Sequence, residues 1–294
     1  MDTRDLRYFI AAAESGHLHR AAERVGRSQP ALSKCIRRLE IEIGARLFEP
    51  AGRGIRLTDV GQALLTRARL LVNGMQATVR EMADMAQGVA GHIRIGSGPT
   101  TTEWLLPDLC GRLLREAPGV TLDVTTGLGD VLRQGLREGQ LDLAITPMNV
   151  DDELEFSAVA VAEDTMVVAA RCDHPLDRPD VRVEDLGGFA WLLPAGTQAS
   201  TDWLCQRFHA LGLGKPRTQI EADSVIMLRR VVSQTNLLTF LSRRDLRQGL
   251  GLQEIEVAAL TYRRSIGVLS ARGRHLSPMM ARLIALLAEL ADQN

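Results

Sequence analysis

Gln29, Ser33, Lys34, Arg37 and Arg38 crowd into one stretch, Ser28 to Gly44, whose remaining positions are apolar at helical spacing. Amide, hydroxyl, ammonium and guanidinium groups along one side of a rod are the groups that bond base edges and phosphates in a major groove. At about 100° per residue, Leu32, Ile36, Leu39 and Ile43 form the opposite stripe and require a core. Ser28 suits the N-cap, Pro30 the first turn and Gly44 a left-handed helix end. The same pattern also fits an ordinary amphipathic surface helix with a solvated basic face. The neighbouring elements bear on the choice.

Leu6, Phe9, Ile10 and Ala13 predict a helix over 3–15, ended by Gly16. Leu18, Ala21, Ala22 and Val25 predict a short second helix, and Gly26-Arg27 a tight turn into the third. Helix, short helix, turn and reading helix is the helix-turn-helix order. Leu47-Phe48 and Ile55-Leu57 flank Pro50-Ala51-Gly52-Arg53-Gly54 and predict a β-hairpin. Arg53 on its tip suits a narrow minor groove, or sits on a solvated loop. His17 and His19 read as surface or capping residues. From Thr58 to about Gln87, Leu64, Ala68, Leu71, Met75, Val79, Met82 and Ala86 alternate by four and three residues. That is a coiled-coil seam, which predicts a second copy as partner; packing on the chain's own later domain is the alternative. Gly88 and Gly91 bracket a hinge.

Charge is divided unevenly. Residues 1–57 hold 11 Lys+Arg against 7 Asp+Glu, a net of +4, which leaves −5 for the rest. A basic head on an acidic body points to a polyanion partner for the head alone. The start, MDTRDLRYF, reads as neither signal nor transit peptide, and no apolar run approaches a membrane span. Cys35, Cys110, Cys172 and Cys205 lie far apart without CxxC spacing. We expect free thiols in a cytoplasmic protein, with no metal site, and a thiol-based redox response as an alternative function.

Beyond residue 91, predicted strands alternate with predicted helices, so we expect an α/β domain with a parallel sheet. Predicted strands cover 92–96, 120–126, 141–146, 166–170, 190–193, 219–221, 237–241 and 265–269. Predicted helices cover 103–116, 130–138, 201–211, 225–232 and 279–290. Ligands in such folds sit at strand carboxyl ends. Those ends gather Ser97, Gly98, Pro99, Thr100, Thr101 and Thr102, then Thr126, Thr146 and Met148, then Thr197, Gln198, Ser200 and Thr201. Hydroxyls and free amides at a helix start suit a small anionic effector, or are plain N-caps. No catalytic residues assemble: Ser-His-Asp spacing, a metal triad and a phosphate loop are all missing from the sequence. A solute binder or enzyme with a helical assembly head remains as an alternative.

LRYFIAAAESGHLHRAAERVGRSQPALSKCIRRLE and LFEPAGRGIRLTDVG resemble the winged helix-turn-helix and linker of LysR-type transcriptional regulators. Looser matches, including Gly139-Gln140-Leu141-Asp142-Leu143-Ala144 and Asp173-His174-Pro175-Leu176, extend the resemblance over most of the chain. It implies a winged helix-turn-helix at 1–57, a dimerisation helix and hinge at 58–90, and a periplasmic-binding-protein-like effector domain at 91–294. Lobe 1 would take about 91–162 plus 266–294 and lobe 2 about 163–265, with strand crossings near Glu163-Asp164 and Arg264-Ser265. By the resemblance, Gln29, Ser33 and Lys34 face base edges and Pro30 a thymine methyl. Ser28, Arg37 and Arg38 hold phosphates, and Arg53 is the wing contact. The implied partners are double-stranded DNA, an effector between the lobes, further copies in a dimer or tetramer and, for an activator, RNA polymerase. Two departures stand out. Pro50 replaces the family's usual wing arginine, and Ser233-Gln234-Thr235-Asn236 replaces a glycine-rich turn.

Overall fold

A computed structural model describes residues 1–87, 91–195, 199–273 and 276–291. The contacts divide the chain into two compact units: Met1–His92 with Gln134–Asp142, and Ile93–Arg133 with Leu143–Asn294.

In the first unit, helix α1 spans Thr3–Ser15, α2 Leu18–Arg24 and α3 Gln29–Ile43. Asp2 and Asp5 form a reciprocal capping box that starts α1. Ser28 caps α3 by accepting the Ala31 amide at 3.4 Å, and Gly44 ends it in the left-handed conformation at φ 76. The hairpin strands β1 (Phe48–Ala51) and β2 (Gly54–Leu57) pair antiparallel, so the tip is only Gly52-Arg53. The Ile55 amide donates to the Gly16 carbonyl at 2.8 Å. Any Cβ on Gly54 would stand 2.5 Å from that same oxygen, so only glycine lets the wing lie so close to the α1–α2 turn.

Helix α4 runs Asp59–Gln87, about 44 Å at 1.5 Å per residue. Leu65, Ala68 and Val72 join Leu6, Phe9, Ala12, Ala21, Leu32, Ile36, Leu39, Leu47 and Phe48 in one core, and Leu64 packs against it. Leu64 and Ala68, expected in the seam, therefore serve the head. Leu71, Met75, Val79 and Met82 stay exposed. Of the α3 stripe, Ile43 is also exposed, and Cys35 takes a core place instead. Hinge residues 88–90 lie outside the described residues.

In the second unit the order is β3 (His92–Ser97), α5 (Pro99–Trp104), α6 (Leu106–Glu116), β4 (Thr121–Thr126), α7 (Gly129–Arg137), β5 (Leu143–Pro147), α8 (Asp152–Glu155) and β6 (Phe156–Arg171). It continues with β7 (Trp191–Pro194), α9 (Ala199–Ala210), β8 (Thr218–Ala222), α10 (Val225–Val232), β9 (Thr239–Ser242), β10 (Leu252–Glu254), β11 (Tyr262–Ala271) and α11 (Pro278–Ala291). The main sheet runs β10-β6-β11-β5-β3-β4, with β9 also on β6, and β7 pairs β8 separately.

Three expectations change here. The sheet is mixed: β3–β5 and β7–β8 are parallel, but β11 runs antiparallel to both β5 and β6. The single helix expected over 103–116 is two, broken at Leu105. The strands expected at 166–170 and 265–269 are parts of the longer β6 and β11, which pair with each other along the length of β11. Their middle pairs Asp164 with Arg264 and Glu163 with Ser265, beside a bulge at Ile266/Gly267.

Alternation along the strands builds lobe 2. Met166, Val168 and Ala170 face one core with Trp191, Leu193, Phe208 and Phe240. Ala169 and Leu192 face the other, with Leu228, Val232 and Leu241. Helix α11 packs on α6 of lobe 1, where Arg282 pairs both carboxylate oxygens of Glu116 at 2.8 Å.

Candidate DNA-reading face and effector cleft

Burying Leu32, Cys35, Ile36 and Leu39 fixes how α3 is rotated. Gln29, Pro30, Lys34, Arg37 and Arg38 are thereby exposed together, with Ser33 half-buried and Ser28 exposed at the cap. Arg53 is exposed on the wing tip. No ion pair or hydrogen bond among the described residues engages the side chains of Lys34, Arg37 or Arg53. Arg38 differs, because it pairs with Asp5, a buried carboxylate of α1 that also accepts from the Cys35 thiol at 3.2 Å. Burial alone would push Asp5 up. The bonds from Cys35, the Asp2 amide and Arg38 outweigh it and hold Asp5 below its ordinary value. Burial and then the Asp5 bond push the Cys35 thiol up to about 12, so it is no nucleophile at neutral pH. The Arg38–Asp5 tie was not legible in the sequence: 33 positions separate the two.

All four cysteines are free, and burial also raises the Cys110 and Cys205 thiols. No group of three His, Cys, Asp or Glu among the described residues is arranged to hold a metal ion.

Between the lobes lies a cavity of about 110 Å³. Of the expected effector residues, Gly98, Pro99, Thr100, Thr101, Thr146, Met148 and Ser200 line it. Ser97 lies buried behind, bonded to Thr101. Thr102 and Thr126 bond each other at 3.4 Å away from the lining, and Thr201 is also outside it. Thr197 and Gln198 fall outside the described residues.

The hydroxyls that suggested an anion are already engaged. Those of Ser97, Thr101 and Thr102 bond the Gly98 carbonyl at 2.9–3.2 Å, and Thr100 donates to Asp245 at 3.2 Å. The lining also includes charges that local sequence patterns did not single out: Asp130, Arg133, Asp223, Asp245 and Arg264. Arg133 makes two 2.6 Å bonds to Asp152 and one of 2.8 Å to the Pro147 carbonyl. Arg264 grips Asp164 at 2.7 and 2.8 Å, and Ser242 donates to that same carboxylate at 2.5 Å. The cleft's two arginines thus already hold carboxylates, and the hydroxyls of Thr100, Thr101 and Thr102 already hold partners.

One further set spans the lobes. Arg229 of α10 makes two 2.7 Å bonds to Glu103 of α5 and stands 3.8 Å from Asp245. The Arg244 guanidinium lies 4.0 Å above the Trp104 ring. Burial pushes the Asp245 carboxyl up to about 6, although Arg229 opposes it.

A reading helix with uncommitted cations and a two-lobed α/β body enclosing a polar cleft define a DNA-binding regulator with a separate sensing domain. Residues 3–62 match the family model "Bacterial regulatory helix-turn-helix protein, lysR family", and residues 86–292 match "LysR substrate binding domain". The chain belongs to the LysR-type transcriptional regulators, a family of DNA-binding regulators and not of enzymes. It is 30% identical to the SDS degradation transcriptional activation protein of Pseudomonas sp. (strain ATCC 19151), over 98% of this chain and 96% of that one. It is also 30% identical to the DNA-binding transcriptional dual regulator OxyR of Escherichia coli (strain K12), over 82% of this chain and 79% of that one. The fold is similar to that of the LysR family regulator CbnR at TM-score 0.72 and 20% identity, covering 99% of both chains. CbnR has also been solved complexed with its target DNA; that structure gives TM-score 0.69 at 21% identity, covering 99% of this chain and 100% of that one. No described helix is long and apolar enough to cross a membrane.

Proposed function

We propose that this regulator binds an interrupted palindrome as a dimer or tetramer, with one α3 in the major groove of each half-site. In this reading Gln29, Ser33 and Lys34 contact base edges and Pro30 a thymine methyl. Ser28, Arg37 and Arg38 hold phosphates, while Arg53 enters the minor groove. The observation that carries the reading is the α3 face itself: Leu32, Cys35, Ile36 and Leu39 are committed to the core, while Lys34 and Arg37 have no protein partner among the described residues. The exposed Leu71, Met75, Val79 and Met82 stripe supports a second copy along α4. Two copies supply two reading helices, as a two-fold site requires. That CbnR, which shares the fold, has been solved complexed with its target DNA supports DNA as the partner.

A small effector enters the cleft and shifts the balance between open and closed lobes by its differential affinity for them. That shift changes the spacing of the paired reading helices and, in an activator, their contact with RNA polymerase. The protein then works in the cytoplasm, where its operator lies. Footprinting with effector present and absent tests this route. A footprint of two half-sites that alters on effector binding is expected, and one that stays the same with the effector bound rejects the coupling.

A further inference from the structure

Building on the reading of the cleft as an effector site, its charge inventory points to the class of effector. The two guanidinium groups in the lining, Arg133 and Arg264, are each held at two points by a carboxylate behind it. A ligand anion would find neither uncommitted. The lining also contains three carboxylates: Asp245, which accepts from Thr100 and stands 3.8 Å from Arg229, Asp130 at the start of α7 in lobe 1, and Asp223 ahead of α10 in lobe 2. Asp130 and Asp223 are exposed, and among the described residues no hydrogen bond or ion pair engages either side chain.

An independent observation comes from Thr146 in the cavity wall. Its side chain is fully buried, and its Oγ1 has no hydrogen-bond partner. A buried hydroxyl without a partner is costly, and a ligand donor reaching this wall would relieve that cost. Met166, Phe240 and Tyr262 supply apolar and aromatic wall beside it.

We propose that the cleft takes a small organic cation, an ammonium or guanidinium on a short apolar stem. Asp130 and Asp223 take its charge from opposite lobes, and Thr146 Oγ1 accepts one of its N–H bonds. A cation between two such carboxylates is attracted to both lobes at once, so it favours the closed form. A dicarboxylate of equal length would be repelled by both.

Putrescine, butanediol and succinate share a four-carbon stem and differ in their end groups, so they isolate charge. Calorimetric titration of the full chain at low salt should give putrescine the tightest binding, about tenfold tighter than butanediol, with succinate weakest. Asp130→Asn combined with Asp223→Asn should bring putrescine to the level of butanediol, at an unchanged melting temperature. Thr146→Val should weaken putrescine and butanediol alike. Succinate binding tightest, putrescine binding unaffected by the double substitution, or no member binding at millimolar concentration would each overturn the cation class. Succinate binding that Thr146→Val weakens would remove the charge class and leave the cleft as the effector site. Binding indifferent to Thr146→Val and to the double substitution would remove the cleft reading as well.

Discussion

The two recognition surfaces use arginine in opposite ways. On α3 and the wing, Arg37 and Arg53 stand in solvent without a partner among the described residues. In the effector domain Arg133, Arg229 and Arg264 are buried or nearly so, and each is bonded to a carboxylate. A surface meant for a polyanion keeps its cations hydrated and uncommitted, because counterion release on binding then favours association. Guanidinium groups inside a fold are tied down, because an unpaired buried charge costs several kcal/mol. Counting arginines near a cleft therefore says little about its ligand until their partners are known.

The contrast makes graded predictions. The largest effect should come from Arg133→Met, which takes from Asp152, a carboxylate at 3% exposure, the guanidinium that holds it at two points. A loss of about 3–5 kcal/mol in chemical denaturation is expected, with DNA contacts untouched. A loss below about 1 kcal/mol would erase the distinction between the two kinds of arginine. Next is Gln29→Ala, expected to cost about 1–3 kcal/mol of binding on one operator sequence and little on its variants. A uniform loss across variants would move Gln29 from the base-reading set to the backbone-contacting set. Arg37→Met should weaken binding to every sequence alike and lower the salt slope by about one, with stability changed by no more than about 0.5 kcal/mol.

The smallest effect concerns pH. Burial holds the Asp245 carboxyl up at about 6 in the folded protein, above the ordinary 3.8 of an exposed aspartate. Folding takes up a proton between those values, so this site favours the folded state at low pH and loses that contribution as pH rises through about 6. Asp245→Asn should flatten this part of the stability profile. An identical slope in the variant would show that Asp245 is not its source.

Helix α3 was legible nearly to the residue because its determinants are local: Ser28 at one end, Gly44 at the other and an apolar stripe between. Residues 225–232 were legible for the same reason. The cleft was legible only by its strand ends. Its defining contacts join residues far apart in sequence, such as Asp164 with Arg264 and Glu103 with Arg229, and no periodicity encodes such pairs. The first half of β6 was missed because its acidic Glu163-Asp164 centre resembles a strand end, yet Asp164 is buried there against Arg264. Nor does anything in the spacing of Leu64 and Ala68 mark that, unlike the rest of the expected α4 seam, they pack in the core of the chain's own head.

Both lobes hang from β6 and β11, which pair antiparallel as one ribbon with a single irregularity. Such a ribbon resists shear but flexes like a leaf spring, most easily where the ladder is interrupted at Ile266/Gly267. Any tilt of one lobe against the other thus loads this strip elastically. Stiffening the interruption would tune how readily the regulator responds while leaving the chemistry of both its surfaces as it is.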